Sequence, residues 1–206
     1  MSRSLTVKNL YDKKFKTWPF SGVFQKAMDN PETSGIWLVY GPEKNGKTWF
    51  SLMLAKYVSS FERTLYVSAE EGTGRDFINA CKRADIETGN RQLQFLEYIP
   101  IEELEQKLDS RKSPNVIFLD NTTVYADELK GGAISRLKRK YEDKLFIFIA
   151  HEEKGEPYTA AAKMVKKLAK IIVRVQGLTA HISGRCTGGK ISIDETKSAL
   201  YWGSPL

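Results

Sequence analysis

The sequence is poor in the residues that build disulfides, metal centres and membrane spans. It holds 2 cysteines and 2 histidines in 206 residues, and Cys81 and Cys186 show neither metal-ligand nor redox spacing. They read as free thiols of a reducing compartment. The longest unbroken apolar run is residues 145–150, far short of a membrane span. Residues 1–10 contain no apolar signal core and no cleavage pattern. Repeats and low-complexity tracts are missing too. Together these absences exclude a disulfide scaffold, a repeat array and a membrane protein, and make the cytoplasm the expected address.

What remains is the composition of a soluble globular chain, 41% hydrophobic and 28% charged. The length suits one domain with a substantial core. The net charge of +7 is unevenly placed. Residues 130–174 carry 12 Lys and Arg against 5 Asp and Glu, and the remaining 20 of each sign cancel. Such a basic stretch favours a polyanionic partner, of which nucleic acid is the commonest. A solvated helix face is the competing reading.

Residues 1–34, with Trp18-Pro19-Phe20, lack clear periodicity and read as an N-terminal arm ending in a turn. Short apolar runs then alternate with helical patterns. Strands are expected at 36–40, 64–68, 93–96, 115–119 and 145–150, with helices at 47–59, 75–83, 101–108, 134–141 and 159–168. The texture changes after 170. Runs at 171–175, 178–183, 190–194 and 199–202, separated by turn residues, read as consecutive antiparallel strands. The fold class is therefore α/β, a mainly parallel three-layer sheet with antiparallel strands at its C-terminal edge.

Gly41-Pro42-Glu43-Lys44-Asn45-Gly46-Lys47-Thr48 matches G-x-x-x-x-G-K-[ST], following a buried strand and opening a helix that continues with Trp49. Gly41 and Gly46 permit the angles that turn successive N–H groups toward an anion. The helix start adds its positive end. Lys47 is expected on the β- and γ-phosphates of ATP, and Thr48 on Mg²⁺. Asp120 closes the apolar strand 115–119 at the sheet edge where ligands bind, and is the second metal anchor. Asn121 after it either orients water or merely turns the chain. Glu70 and Glu71 end the strand after the phosphate-loop helix; Glu70 is the first candidate for the general base and Glu71 the second. His151 ends the 145–150 strand at the same edge, as a γ-phosphate sensor or as a histidine bonded to backbone.

This order of parts resembles the RecA-type ATPase core, and the segment Tyr66-Val67-Ser68-Ala69-Glu70-Glu71 is similar to that of the bacterial RadA (Sms) branch. The resemblance spans about residues 35–203, with its distinctive motifs in the first two-thirds, and makes 35–206 a RecA-like ATPase domain. It implies Glu70 as catalytic glutamate, Asp120 as Walker B aspartate and His151 at the sensor position. It also implies an oligomer, ring or filament, in which a neighbour supplies a basic finger. Arg185 matches that finger, although the Lys that precedes it in relatives is missing; Lys190 and Lys197 are weaker substitutes. The bare core is similar to compact ATPases of phages and mobile elements.

RecA-type proteins bind single-stranded DNA through two loops, which fall here at about 123–133 and 152–162. Lys130 lies in the first. Arg136, Arg139 and Lys140 share one face of the next helix, and Lys163, Lys166, Lys167 and Lys170 a face of the one after. Glu152, Glu153 and Glu156 make the second loop acidic. Tyr125 and Tyr158 are candidates for base stacking. Trp18-Pro19-Phe20 either docks on a neighbouring subunit or caps its own core. Two rival functions stand beside a DNA-directed ATPase: a P-loop small-molecule kinase, and a non-catalytic ATP-binding regulatory module.

Overall fold

The computed structural model describes residues 4–203. The ends of the expected arm and domain, 1–3 and 204–206, lie outside them. Along the chain run α1 (Val7–Tyr11), α2 (Gly22–Met28), β1 (Gly35–Gly41), α3 (Lys47–Val58), β2 (Thr64–Ser68), α4 (Arg75–Arg83), β3 (Leu93–Glu97), α5 (Ile101–Leu108) and β4 (Val116–Asp120). Then follow α6 (Ala133–Lys140), β5 (Leu145–Glu153), β6 (Glu156–Pro157), α7 (Ala160–Leu168), β7 (Ile171–Gln176), β8 (Thr179–Gly184), β9 (Gly189–Ser192) and α8 (Glu195–Trp202).

The continuous apolar runs become strands buried at every position, as in β1, β2 and β4. Only a sheet covered on both faces gives them that environment. The pleat divides their side chains by parity. Trp37 and Val39 of β1 join one core with α2, α3 and α4, while Ile36, Leu38 and Tyr40 join the other with α5, α6 and α7. The strand order is β3-β2-β4-β5-β1-β7-β8-β9, with β6 paired to β5. The six strands from β3 to β7 are parallel, and β8 and β9 continue antiparallel. Register then aligns the strand ends: Gly41 opposite His151, and Ser68 opposite Asp120. No helix among the described residues is long and apolar enough to cross a membrane.

Several expectations need correction. Residues 199–202 are the last turns of α8, not a strand. Asp194 caps that helix by accepting the Lys197 N–H at 3.0 Å, and Gly203 ends it in the left-handed region. The first three of those C-terminal runs do pair consecutively antiparallel, β7 with β8 and β8 with β9, and β7 joins them to the parallel half through β1. The aperiodic arm contains two helices, α2 burying Phe24, Ala27 and Met28. Trp18 and Phe20 are each 3% exposed, with Trp18 edge-on to Trp37 and Phe20 to Tyr57, so this patch caps its own core. The second loop is a hairpin, β5 pairing with β6 through Glu152–Pro157 and Glu153–Glu156.

Candidate functional site

The carboxyl ends of β1, β2, β4 and β5 open into a cleft of about 630 Å³, within the range of ligand sites. Its walls include Glu43, Lys44, Gly46, Lys47, Thr48 and Trp49 from the phosphate loop, and Glu70, Glu71, Asp120, Asn121 and His151 from the other strand ends. Residues far apart in sequence thus meet here because parallel strands all present their C-terminal ends at one edge.

The loop's left-handed positions are Lys44 and Gly46, at φ 58° and 99°. Gly41 corrects the expectation: it is an extended strand residue, and a Cβ there would lie 2.0 Å from the Val175 carbonyl oxygen. Its small size admits β7 rather than shaping a nest. Asn45 holds the loop to the β7–β8 turn. Its Oδ1 accepts the Gly177 N–H at 2.8 Å and its Nδ2 donates to the Glu43 carbonyl at 2.8 Å. Gly41, Pro42 and Asn45 therefore support the loop from behind the cleft, while the other five positions and Trp49 face it.

Lys47 is buried and its ammonium donates to the Pro42 carbonyl at 2.8 Å. Burial lowers its pKa, opposed by the negative charge of Asp120 and Glu70. Asp120 accepts from the Tyr66 hydroxyl at 2.5 Å, and burial raises its carboxyl to about 6, against the lowering effect of that hydrogen bond. Burial also raises Glu71, with Glu70 adding to it. Thr48 and Asp120 offer hard oxygen donors, the chemistry Mg²⁺ prefers. Among the described residues no group of three or more His, Cys, Asp or Glu is placed to hold a metal by itself. The donor set fits an ion that arrives with a nucleotide.

Glu70, Asn121 and His151 form a second unit. The Asn121 amide donates to Glu70 Oε2 and lies 2.7 Å from His151 Nε2, which is 3.2 Å from Glu70 Oε1. Asn121 Oδ1 also accepts the Thr123 N–H at 2.6 Å. Asn121 and His151 thus hold the Glu70 carboxylate in the cleft that the phosphate loop also lines. Glu71 shares the cleft outside this network.

Sequence reasoning missed part of the site. Tyr66 lies on the Asp120 face of the sheet by strand parity, but only register brings their side chains together. Arg83 and Lys197 flank the Trp49 ring at 5.2 and 5.6 Å from its centre. Lys197 therefore belongs to its own chain's cleft. Arg185 sits beside Lys170 where β1 and β7 begin, at the opposite end of the sheet, and does not reach its own chain's phosphate loop.

The expected nucleic-acid residues are dispersed and partly neutralised. Lys130 pairs with Asp127 at 2.5 Å, and Lys140 with Glu105 and Asp109 at 2.9 and 3.0 Å. Arg136 lies 3.8 Å from Glu105. Lys166 pairs with Glu156 and Lys170 with Glu32, each at 2.7 Å. Arg139, Lys163 and Lys167 are exposed. Tyr125 is fully buried and cannot stack on a base; its hydroxyl donates to the Ile99 carbonyl at 3.0 Å. Tyr158 is 54% exposed.

The strand order and the antiparallel extension make this a RecA-like three-layer α/β fold, with the cleft at the carboxyl edge of its sheet. The flagellar accessory protein FlaH from Methanocaldococcus jannaschii is a similar solved structure. It matches with a TM-score of 0.62 at 15% identity, over 87% of this chain and 92% of its own. At that identity the likeness is one of fold alone. No family model matches the sequence, and no curated protein matches it.

Proposed function

We propose that this protein is a Mg²⁺-dependent ATPase that works on nucleic acid as part of an oligomer. One observation carries the reading: Glu70, fixed by Asn121 and His151, faces the phosphate loop across the same cleft as buried Asp120. Hydrolysis asks for these two separate carboxylates, one beside the metal and one oriented toward the attacking water. Lys47 and the loop N–H groups would hold the triphosphate, and Thr48 and Asp120 the Mg²⁺, which supplies charge neutralisation when bound. Glu70 would accept the proton of the attacking water, and His151 would sense the γ-phosphate position. Trp49 with Arg83 offers a face for the base.

The kinase reading is weaker. Two of the four cations of α6 that would form its lid, Arg136 and Lys140, are drawn to Glu105 and Asp109. Nucleic acid as partner rests on the basic charge balance, and an oligomer on Arg185, which only a neighbour's nucleotide could meet.

ATP hydrolysis measured with and without single-stranded DNA tests the reading on wild type, Lys47→Ala and Glu70→Gln. Lys47→Ala abolishes nucleotide binding. Glu70→Gln retains binding and lowers turnover about 10²- to 10⁴-fold. DNA raises the wild-type rate. Turnover unaffected by Glu70→Gln would remove the catalytic assignment, and turnover only with a small-molecule acceptor would favour the kinase.

A further inference from the structure

The six parallel strands all begin at the edge of the sheet away from the phosphate loop, and the segments leading into β2, β3 and β4 carry cations. Thr64 pairs with Leu93 on one side and Val116 on the other, so the starts of β2, β3 and β4 lie side by side. Arg63, Arg91 and Lys112 converge there. With Gln92 and Gln94 they line a cavity of about 350 Å³ to which no Asp or Glu contributes. Arg63 Nη1 donates to the Lys112 carbonyl at 3.3 Å, which links two of the three segments.

Among the described residues no ion pair involves Arg63, Arg91, Arg111 or Lys112. That separates this edge from the α6 face, where Glu105 and Asp109 already answer the charge. A second cavity, of about 450 Å³, shares Arg63 and Gln92 and continues to Arg111 and Lys144. Lys144 is 6% exposed and donates only to neutral acceptors, the Ser113 hydroxyl and the Pro114 carbonyl, at 2.9 and 3.0 Å. Two acids also line this second cavity, Glu62 and Asp143. Glu62 is already engaged by Lys16 and Asn115.

In the first recess cations gather without a carboxylate and repel one another, and an anion between them relieves that repulsion. Arginine forks and amide groups suit phosphate oxygens, bound side-on by paired N–H groups. Two adjoining recesses that share one arginine describe a track for successive phosphates rather than a socket for one. The edge is also separate from the ATP cleft, since a five-residue strand such as β4 spans roughly 16 Å.

We propose that this basal edge is a second phosphate-binding site, which takes the backbone of a single-stranded nucleic acid. The inference sharpens the nucleic-acid part of the function proposed above by moving the contact from α6 to the starts of β2, β3 and β4. Recesses between strand starts admit a flexible single strand more readily than a rigid duplex.

The test is fluorescence anisotropy of a labelled oligo-dT 20-mer with the full chain at several salt concentrations. The proteins are wild type, the triple variant Arg63→Gln, Arg91→Gln, Lys112→Gln, and the single variant Arg91→Glu, with mant-ATP binding as the check on folding. Three lost phosphate contacts lower the salt slope by about 2 and weaken binding at least tenfold, while mant-ATP affinity is unchanged. Arg91→Glu, a single exposed change, weakens binding in the same direction if the triple variant fails to fold. Unlabelled 20-mer competes, whereas duplex and pyrophosphate compete poorly. A wild-type slope in both variants overturns the inference, as does a wild type that binds no oligonucleotide. Oligonucleotide binding that depends on these residues while ATP turnover ignores DNA would sink the DNA-stimulated ATPase instead.

Discussion

Replacing Asp120 with Asn should make the metal-free protein more stable at neutral pH while ending the proposed hydrolysis. Asp120 is 7% exposed, and its carboxyl is raised from 3.8 to about 6, chiefly by burial. One pKa unit corresponds to about 1.36 kcal/mol, so the ionised carboxylate disfavours the folded state by roughly 3 kcal/mol. Because the folded pKa lies above the unfolded one, the folded protein binds more protons between pH 3.8 and about 6. Stability from this group is therefore greatest in acid and declines as pH rises through that window. Asn keeps an oxygen to accept from the Tyr66 hydroxyl. Its unmatched amide N–H offsets part of the gain, about 1 kcal/mol. The expected result, from urea unfolding in EDTA, is a variant about 2 kcal/mol more stable than wild type at pH 7.5. That advantage disappears or reverses by pH 4. A pH-independent difference, or a variant less stable at pH 7.5, would refute the reasoning.

Other perturbations test the scaffold around the cleft. Trp18→Ala removes a ring packed among Phe20, Trp37 and Phe61, and should cost about 3–5 kcal/mol in urea unfolding. Arg174→Met strands the Glu152 carboxylate, whose side chain is 5% exposed and which now accepts two bonds of 2.7 Å. The expected loss is about 3–5 kcal/mol, restored in large part when Glu152→Gln is added. If the proposed hydrolysis holds, Asn121→Ala should lower kcat about 10- to 100-fold with KM nearly unchanged, since its amide is hydrogen-bonded to Glu70; a change confined to KM would contradict this.

The parallel half of the fold was legible because burial on both faces leaves a plain signature: continuous apolar runs ending in polar residues. β2, α4 and α5 fall where the pattern put them. Glu70, Asp120 and His151 share an edge by the geometry of parallel strands alone. What the pattern could not supply was anything decided by partners distant in sequence. Residues 199–202, Ala-Leu-Tyr-Trp, look like a strand until the Asp194 cap and Gly203 stop are weighed together. Gly41 invites a nest reading, yet the approach of Val175 explains it. The same limit hides the ion pairs that consume the α6 charge, because Glu105 and Asp109 lie on another helix. It also hides the basal cations, which come from three separate segments.

The balance of charge in the cleft leads to a last prediction, about the metal. Five Asp and Glu line it against four Lys and Arg, so its formal charge does not attract a triphosphate. Lys47 and the loop N–H groups supply local attraction, yet the negative charge of Glu70 lies close enough to raise Glu71 and Asp120 and to act on Lys47. A divalent cation carried in with the nucleotide reverses the sign of that contest. It would also meet the two oxygen donors proposed for it, Thr48 and Asp120, too few to bind it alone. Titration calorimetry should therefore show no binding of Mg²⁺ by itself at millimolar concentration. ATP should bind at least tenfold more weakly in EDTA than with Mg²⁺, and Asp120→Asn should erase most of that difference. Tight Mg²⁺ binding without nucleotide, or equal ATP affinity with and without it, would show that the cleft neutralises the phosphates by its own cations.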